Sequence, residues 1–158
     1  MSESPWLSAE QQSVWRSWLA LSALLPAALH RQLARDSGLS LPDFDVLVQL
    51  SESPAGRLRV ADLARALTWE RSRASHHLTR MQKRGLVDRQ ECADDGRGAF
   101  VVLTPEGRAA IEQAAPPHAA TVKDLVFADL DDDELEVLGR VVGKICGRLE
   151  GRVLQTPA

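Results

Sequence analysis

Long hydrophobic runs are missing from these 158 residues. No stretch approaches the roughly eighteen consecutive apolar residues of a membrane-spanning helix, and no basic start leads into an apolar run with a cleavage site. A cytoplasmic protein with no membrane partner is expected. Cysteine is scarce as well. Cys92 and Cys146 are the only two, lie far apart, and form no Cys-x-x-Cys or Cys/His ligand spacing, so neither a disulfide framework nor a zinc site is indicated. A catalytic set is also lacking: no nucleophile comes with a base and an orienting group. His76 and His77 are adjacent, so on a helix they point in different directions and cannot share a metal as an i, i+4 pair would. No enzyme activity, metal or cofactor is expected.

What is present is an ordinary globular composition with an uneven charge. Hydrophobic residues make up 44% and charged residues 26%, within the usual range for one compact domain. The net charge is −3, yet Arg57 to Arg89 holds nine Lys or Arg against Asp62, Glu70 and Asp88. That segment carries +6 and leaves −9 for the rest. A basic segment on an acidic body suits phosphate binding, because Lys and Arg neutralise phosphates and release counterions. A charge run alone is more often a solvated helix face. Here it coincides with a specific order of elements.

Val60, Leu63, Ala64 and Leu67 recur at helical spacing, and Ala74, His77, Leu78 and Met81 do so again after a break at Thr68. Two short helices in succession are predicted, the second from Trp69 to Arg84, with Thr68 as N-cap, Glu70 in the first turn and Gly85 closing it. At 100° per residue, Ala74, Leu78 and Met81 form a core face. Ser72, His76, Thr79 and Lys83 lie opposite, flanked by Arg73 and Arg80. A hairpin follows: Val87 to Glu91, a polar tip from Cys92 to Gly98, then Ala99 to Leu103 with its strand-forming Phe100, Val101, Val102 and Leu103. At the tip, Arg97 has the reach for a narrow minor groove, and Asp95 is placed to aim its guanidinium through a bidentate pair.

Helix, turn, helix and hairpin in this order make a winged helix-turn-helix. The stretch from about Leu41 to Ala115 resembles the MarR family of bacterial transcription regulators. The resemblance rests on ADLARAL (61–67), RMQKRGLVDR (80–89), Asp95-Gly96-Arg97 at the wing tip and LTPEGRAAI (103–111). It implies a homodimer whose recognition helix enters the major groove and whose wing Arg contacts the minor groove, roles carried here by Ser72, Arg73, Ser75, His76 and Arg97. The chain departs from the family pattern at Trp69, Glu70 and His77, where a small polar cap and aliphatic residues are usual. With the helix faces above, Arg73 and His76 are assigned to base edges. Ser72, Ser75 and Thr79 are placed near the groove floor, and Arg71, Arg80 and Lys83 on phosphates.

The expected fold is mainly α with a small β-hairpin wing. Residues 1–40 form an N-terminal dimerisation helix, 41–104 the winged helix-turn-helix lobe, and 105–158 the C-terminal helices that complete the dimerisation region. Ser8-Ala9-Glu10-Gln11 reads as a capping box before a long helix, with a bend at Pro26. Ser40-Leu41-Pro42-Asp43 opens the next helix. Thr104-Pro105-Glu106 caps another, interrupted at Pro116-Pro117 and resumed towards Phe127, and Asp131-Asp132-Asp133-Glu134 opens the last. In that last helix Leu135, Leu138, Val142, Ile145 and Leu149 alternate by three and four, a seam for a partner helix or for the first helix of the same chain.

The resemblance also implies a small aromatic or anionic effector, for which Trp15, Trp18 and His30, with Arg31, are the candidate residues. Tryptophans at such spacing serve more often as core or interface. Two alternatives carry their own signatures. A redox-responsive regulator would act through Cys92, whose neighbours Arg89 and Arg97 favour the thiolate while Glu91, Asp94 and Asp95 oppose it. A protein-binding winged helix would need an apolar or acidic face around Ser72, His76 and Arg80, and that face is neither. The expected function is sequence-specific DNA binding as a repressor, by a homodimer reading a pseudo-palindrome in double-stranded DNA and released by an effector.

Overall fold

The computed structural model describes residues 5–91 and 99–153. Asp95, Arg97 and Cys92 lie outside the described residues. In chain order the elements are α1 (Ala9–Ser37), α2 (Leu41–Glu52), β1 (Arg57–Arg59), α3 (Val60–Ala66), α4 (Arg71–Lys83), β2 (Val87–Glu91), β3 (Ala99–Leu103), α5 (Pro105–Val122), a π-helical turn (Lys123–Phe127) and α6 (Asp132–Val153). The architecture is mainly helical with one small antiparallel sheet, as expected. Two compact units divide the chain, Met1–Ala119 and Ala120–Ala158. No helix among the described residues is long and apolar enough to cross a membrane.

Local chemistry starts the helices. Ser8 accepts at Oγ from the Gln11 amide and donates its own amide to Gln11 Oε1, and Ser40 and Asp43 repeat that reciprocal box at α2. Asp131 and Glu134 do the same before α6. Helix α1 runs through Pro26 as one element.

The sheet has three strands, with β3 in the middle and β1 and β2 antiparallel on either side. Val101 faces Leu58 on one side and Arg89 on the other, and is fully buried. Strand β1 was not expected from the sequence. It is three residues long, with only Leu58 apolar, too short for period-two alternation to show.

One core in the first unit gathers Leu33 from α1, Val46, Leu47 and Leu50 from α2, Leu63 from α3, Leu78 and Met81 from α4, Val87 and Val101 from the strands and Ile111 from α5. Apolar burial of this kind supplies about 1.5–3 kcal/mol per large side chain. It does not by itself fix how α4 is turned.

Orientation comes from polar contacts at the C-terminal end of α4 and along its side facing α2. At its C-terminus the Gly85 amide donates to the Gln82 carbonyl and the Leu86 amide to that of Met81, with Gly85 at φ 75°. These two bonds make a Schellman cap, which needs a residue at home in the left-handed region. Thr104 then joins this cap to α5. Its Oγ1 accepts from the Gly107 amide as the N-cap of α5, and lies 2.6 Å from the Gly85 carbonyl oxygen and 2.9 Å from that of Leu86. Gly107 sits so close that a Cβ there would fall 2.0 Å from the Leu86 carbonyl oxygen.

On the side of α4 facing α2, the buried Asp43 carboxylate is the anchor. Arg84 Nη1 donates to its Oδ2 at 2.7 Å, and His77 Nε2 stands 3.0 Å from Oδ1 in a close polar contact that is not aligned as a hydrogen bond. Arg84 Nη2 also donates to the Gly38 carbonyl at the end of α1. Arg80 Nη2 lies 2.9 Å from His77 Nδ1. A guanidinium can only donate, so Nδ1 accepts and Nε2 carries the hydrogen turned to Asp43. Burial alone would raise the Asp43 pKa. The His77, Ser40 and Arg84 donors outweigh it and hold the carboxyl well below the usual carboxylate range.

Two expected features are corrected. Helix α4 starts at Arg71 rather than Trp69, and Thr68 is not its N-cap. The backbone before it is already committed to ending α3. The Thr68 amide donates to Arg65 and the Trp69 amide to Ala64, with Thr68 at φ 55° in the left-handed region. Glu70 takes the N-cap position without a side-chain bond. Helix α5 runs unbroken through Pro116 and Pro117. Each proline removes a backbone donor, but packing on both sides holds the helix. Ala114 is buried in the core, and the His118 ring packs on Phe44 at 4.2 Å, with Nδ1 3.2 Å from Gln32 Oε1. Burial lowers the His118 pKa, partly opposed by Asp45, whose own pKa burial raises.

Gly107→Ala is expected to lose about 3 kcal/mol of stability, since a methyl group against a backbone carbonyl forces α5 off its seat. Urea unfolding at fixed protein concentration would show it as a lower midpoint at unchanged slope. Asp43→Asn should cost about 3 kcal/mol at pH 7 by leaving Arg84 without its buried counter-charge. A depressed carboxylate pKa gives stability that is full above the usual carboxylate range and lost as pH falls through the folded value. The gap between wild type and Asp43→Asn should therefore narrow in melts taken from pH 7 down to pH 3; a constant gap would contradict the assignment.

Candidate nucleic-acid interface

Helix α4 sorts its residues into two faces as its period dictates. Ala74, His77, Leu78 and Met81 are buried, while Ser72, Arg73, His76, Thr79, Arg80 and Lys83 are exposed. Of the two adjacent histidines, His77 belongs to the Asp43 anchor and His76 to the open face. The exposed face carries Arg, His, Ser, Thr and Lys side chains, a dense set of donors with few acceptors.

Individual side chains differ in how free they are. The Arg73 guanidinium stands 4.7 Å from the centroid of the Trp69 ring. Thr79 Oγ1 donates to the Ser75 carbonyl. Ser75 is half-buried, and Arg89 Nη2 donates to its carbonyl at 2.7 Å and approaches its Oγ at 3.3 Å. The face that was expected to offer Ser75 thus has it tied to the wing.

Arg89 is the residue that the sequence reading left out. On β2 it faces Val101, the buried centre of the sheet, so its side chain runs inward along the same side as Val87. Its Nε is buried without a hydrogen-bond partner. With Arg59, Arg71 and Ser75 it lines a notch of about 330 Å³ between the sheet and α4. A charged residue at an inward position of a strand was the available signal. Arg57 and Arg59 on β1 lie over the Phe100 ring at 4.9 and 5.1 Å, so β1 carries its charge on one side of the sheet. Two of the acids in the basic segment are already engaged. Asp62 pairs with Arg65, and Asp88 accepts from Gln82 and from the Arg89 amide.

The three residues expected to form an effector site are not brought together in the single chain. His30 lines a cleft of about 440 Å³ with Ser40, Asp43, His77, Arg80 and Arg84, and its Nδ1 accepts from the Leu41 amide. Trp15 and Trp18 are exposed further back on α1. At 1.5 Å per residue, Trp18 is about 18 Å from His30 along the helix, which separates them. No group of three His, Cys, Asp or Glu fit to hold a metal occurs among the described residues.

In α6, Leu135, Leu138 and Leu149 are exposed, and Val142 and Ile145 are half-buried. Val137 and Val141 widen the stripe, and Cys146 beside it is exposed.

Comparison with known proteins agrees with this geometry. A model of the MarR family matches residues 37–98. The crystal structure of AbsC, a MarR family transcriptional regulator from Streptomyces coelicolor, is 37% identical, with 94% of this chain and 99% of that one covered at a TM-score of 0.87. Sco3205, a MarR family regulator of the same organism solved in complex with DNA, is 40% identical over 90% of each chain, with a TM-score of 0.86. The HTH-type transcriptional repressor YetL of Bacillus subtilis is 28% identical over 112 residues, which span 71% of this chain and 66% of YetL, just under two-thirds of that relative. These are transcription regulators and not enzymes. With the winged helix-turn-helix of its first unit and full-length likeness to two such regulators, the chain belongs to the MarR family of transcriptional regulators.

Proposed function

We propose that the protein binds double-stranded DNA as a homodimer, reads a pseudo-palindromic operator with α4 in the major groove, and represses transcription. The observation that carries this is the exposed face of α4, where Ser72, Arg73, His76, Thr79 and Lys83 stand clear of a core face that is fully engaged. Arg73 and His76 take base edges, and Ser72 and Thr79 the groove floor. Ser75 contributes through its bond to Arg89, which fixes the helix against the wing. Arg71, Arg80 and Lys83 hold phosphates, and the notch lined by Arg59, Arg71 and Arg89 suits a further phosphate oxygen by its positive charge. Arg97, aimed by Asp95, is assigned to the minor groove.

Pairing of two copies is supported by the apolar stripe on α6 and by Trp15, Trp18 and Leu19 on α1, all uncovered in the single chain. A two-fold dimer places its recognition helices about 34 Å apart, one turn of DNA, hence the palindrome. Repression follows the example of YetL, itself a transcriptional repressor. A small anionic effector has a polar anchor in the cleft of His30, Arg80 and Arg84. Since Arg80 is also assigned to phosphate, occupancy there competes with DNA.

Selection of bound sequences from a random duplex pool, followed by a salt series, tests the proposal. A palindromic site and a steep fall of affinity with salt are expected, whereas no enrichment or a shallow slope would overturn it. Arg73→Ala should cost about 1–3 kcal/mol on the selected site and relax its sequence. Lys83→Ala should weaken all sequences alike and reduce the salt slope by about one. Equal losses on selected and random DNA for both variants would refute this division of roles.

A further inference from the structure

We propose that Trp69 is the positioning residue for Arg73: its indole face holds the guanidinium in a reading pose before DNA arrives. This rests on Arg73 as a base-reading side chain. The guanidinium carbon lies 4.7 Å from the ring centroid, within the range of a cation–π contact. In a stacked pose over the ring the flat face of a guanidinium is occupied and its N–H edge stays free, and that edge is what pairs with the two acceptors of a guanine. An exposed arginine would otherwise sample many rotamers and lose that freedom on binding. The same stack would be empty of purpose if the ring itself were loose.

The ring is not loose. The Trp69 amide is bonded to the Ala64 carbonyl at 2.8 Å, and the side chain packs partly into the core. Its ring meets the His77 ring edge-on at 5.3 Å and 78°, a favoured aromatic geometry. His77 is in turn held between Asp43 and Arg80. A continuous line of contacts therefore runs from the buried carboxylate of α2 through His77 and Trp69 to an exposed guanidinium. Thr68, immediately before it, is in the left-handed conformation, and the Trp69 ring lies against Arg73 and His77 of α4.

The test uses the full chain and its selected operator, with random duplex as reference, at one salt concentration. Trp69→Met keeps apolar bulk without a ring, and Trp69→Phe keeps a ring. Loss of one partially exposed cation–π contact corresponds to about a two- to fivefold change. Trp69→Met should lower the ratio of selected to random binding by that factor, Trp69→Phe should retain most of the ratio, and Trp69→Met should add nothing when Arg73 is already Ala. An unchanged ratio in a folded Trp69→Met protein, or the same loss with and without Arg73, overturns the proposal. If Arg73→Ala itself leaves the ratio unchanged, base reading by Arg73 fails and the positioning role with it, an outcome distinct from the other two. A measurement on wild-type protein avoids any folding defect. The Arg73 Hε resonance, identified by its loss in Arg73→Lys, should lie upfield through the indole ring current, and an unshifted resonance refutes the stack.

Discussion

A single buried carboxylate sets the position of the recognition helix. Asp43 sits in the first turn of α2, closing that helix's own capping box, while Arg84 and His77 of α4 converge on its two oxygens. Apolar burial is non-directional, so Leu78 and Met81 would tolerate a small rotation or slide of α4 over the core. The carboxylate would not, because its bonds are short and its charge is out of water. Arg84 adds a second bond to the last turn of α1 through Gly38. Three helices are therefore registered to one another at one point.

The same economy governs the charge of the basic segment. Two of its three acids, Asp62 and Asp88, are engaged internally by Arg65, Gln82 and the Arg89 amide, whereas Arg73, Lys83 and the notch arginines lack carboxylate partners among the described residues. The surplus positive charge is thereby concentrated on α4 and the sheet face beside it. On the opposite face of the sheet Phe100 lies under Arg57 and Arg59, which spaces these guanidinium groups along β1 without neutralising them.

Much of this could be read from residue order, and what could not has a common cause. The caps at Ser8, Ser40 and Asp131 involve partners three residues apart, so the sequence displays them directly. The two faces of α4 follow from its period alone. Strand β1 escaped because three residues carry no period, and the start of α4 because nothing in Thr68 announces a left-handed turn; glycine would have. The continuity of α5 through Pro116 and Pro117 depends on Phe44 and Gln32, about seventy and more residues earlier in the chain. The roles of His77 and Arg89 likewise lie in contacts that cross between elements. His77 falls in with the apolar residues by its helical spacing, but its link to Asp43 and Trp69 needs the fold.

Gly107 has a mechanical meaning beyond close packing. The first turn of α5 and the cap of α4 share the carbonyls of Gly85 and Leu86, so the two helices are hinged at one point with no slack between them. Helix α4 is 13 residues long, or about 20 Å. Tilting it by about 10° at this hinge would carry its far end through roughly 3 Å, enough to separate a guanidinium edge from a base. Arg73 stands near that far end. Whatever redirects α5 thus acts on the reading residues through a lever whose fulcrum is a missing side chain.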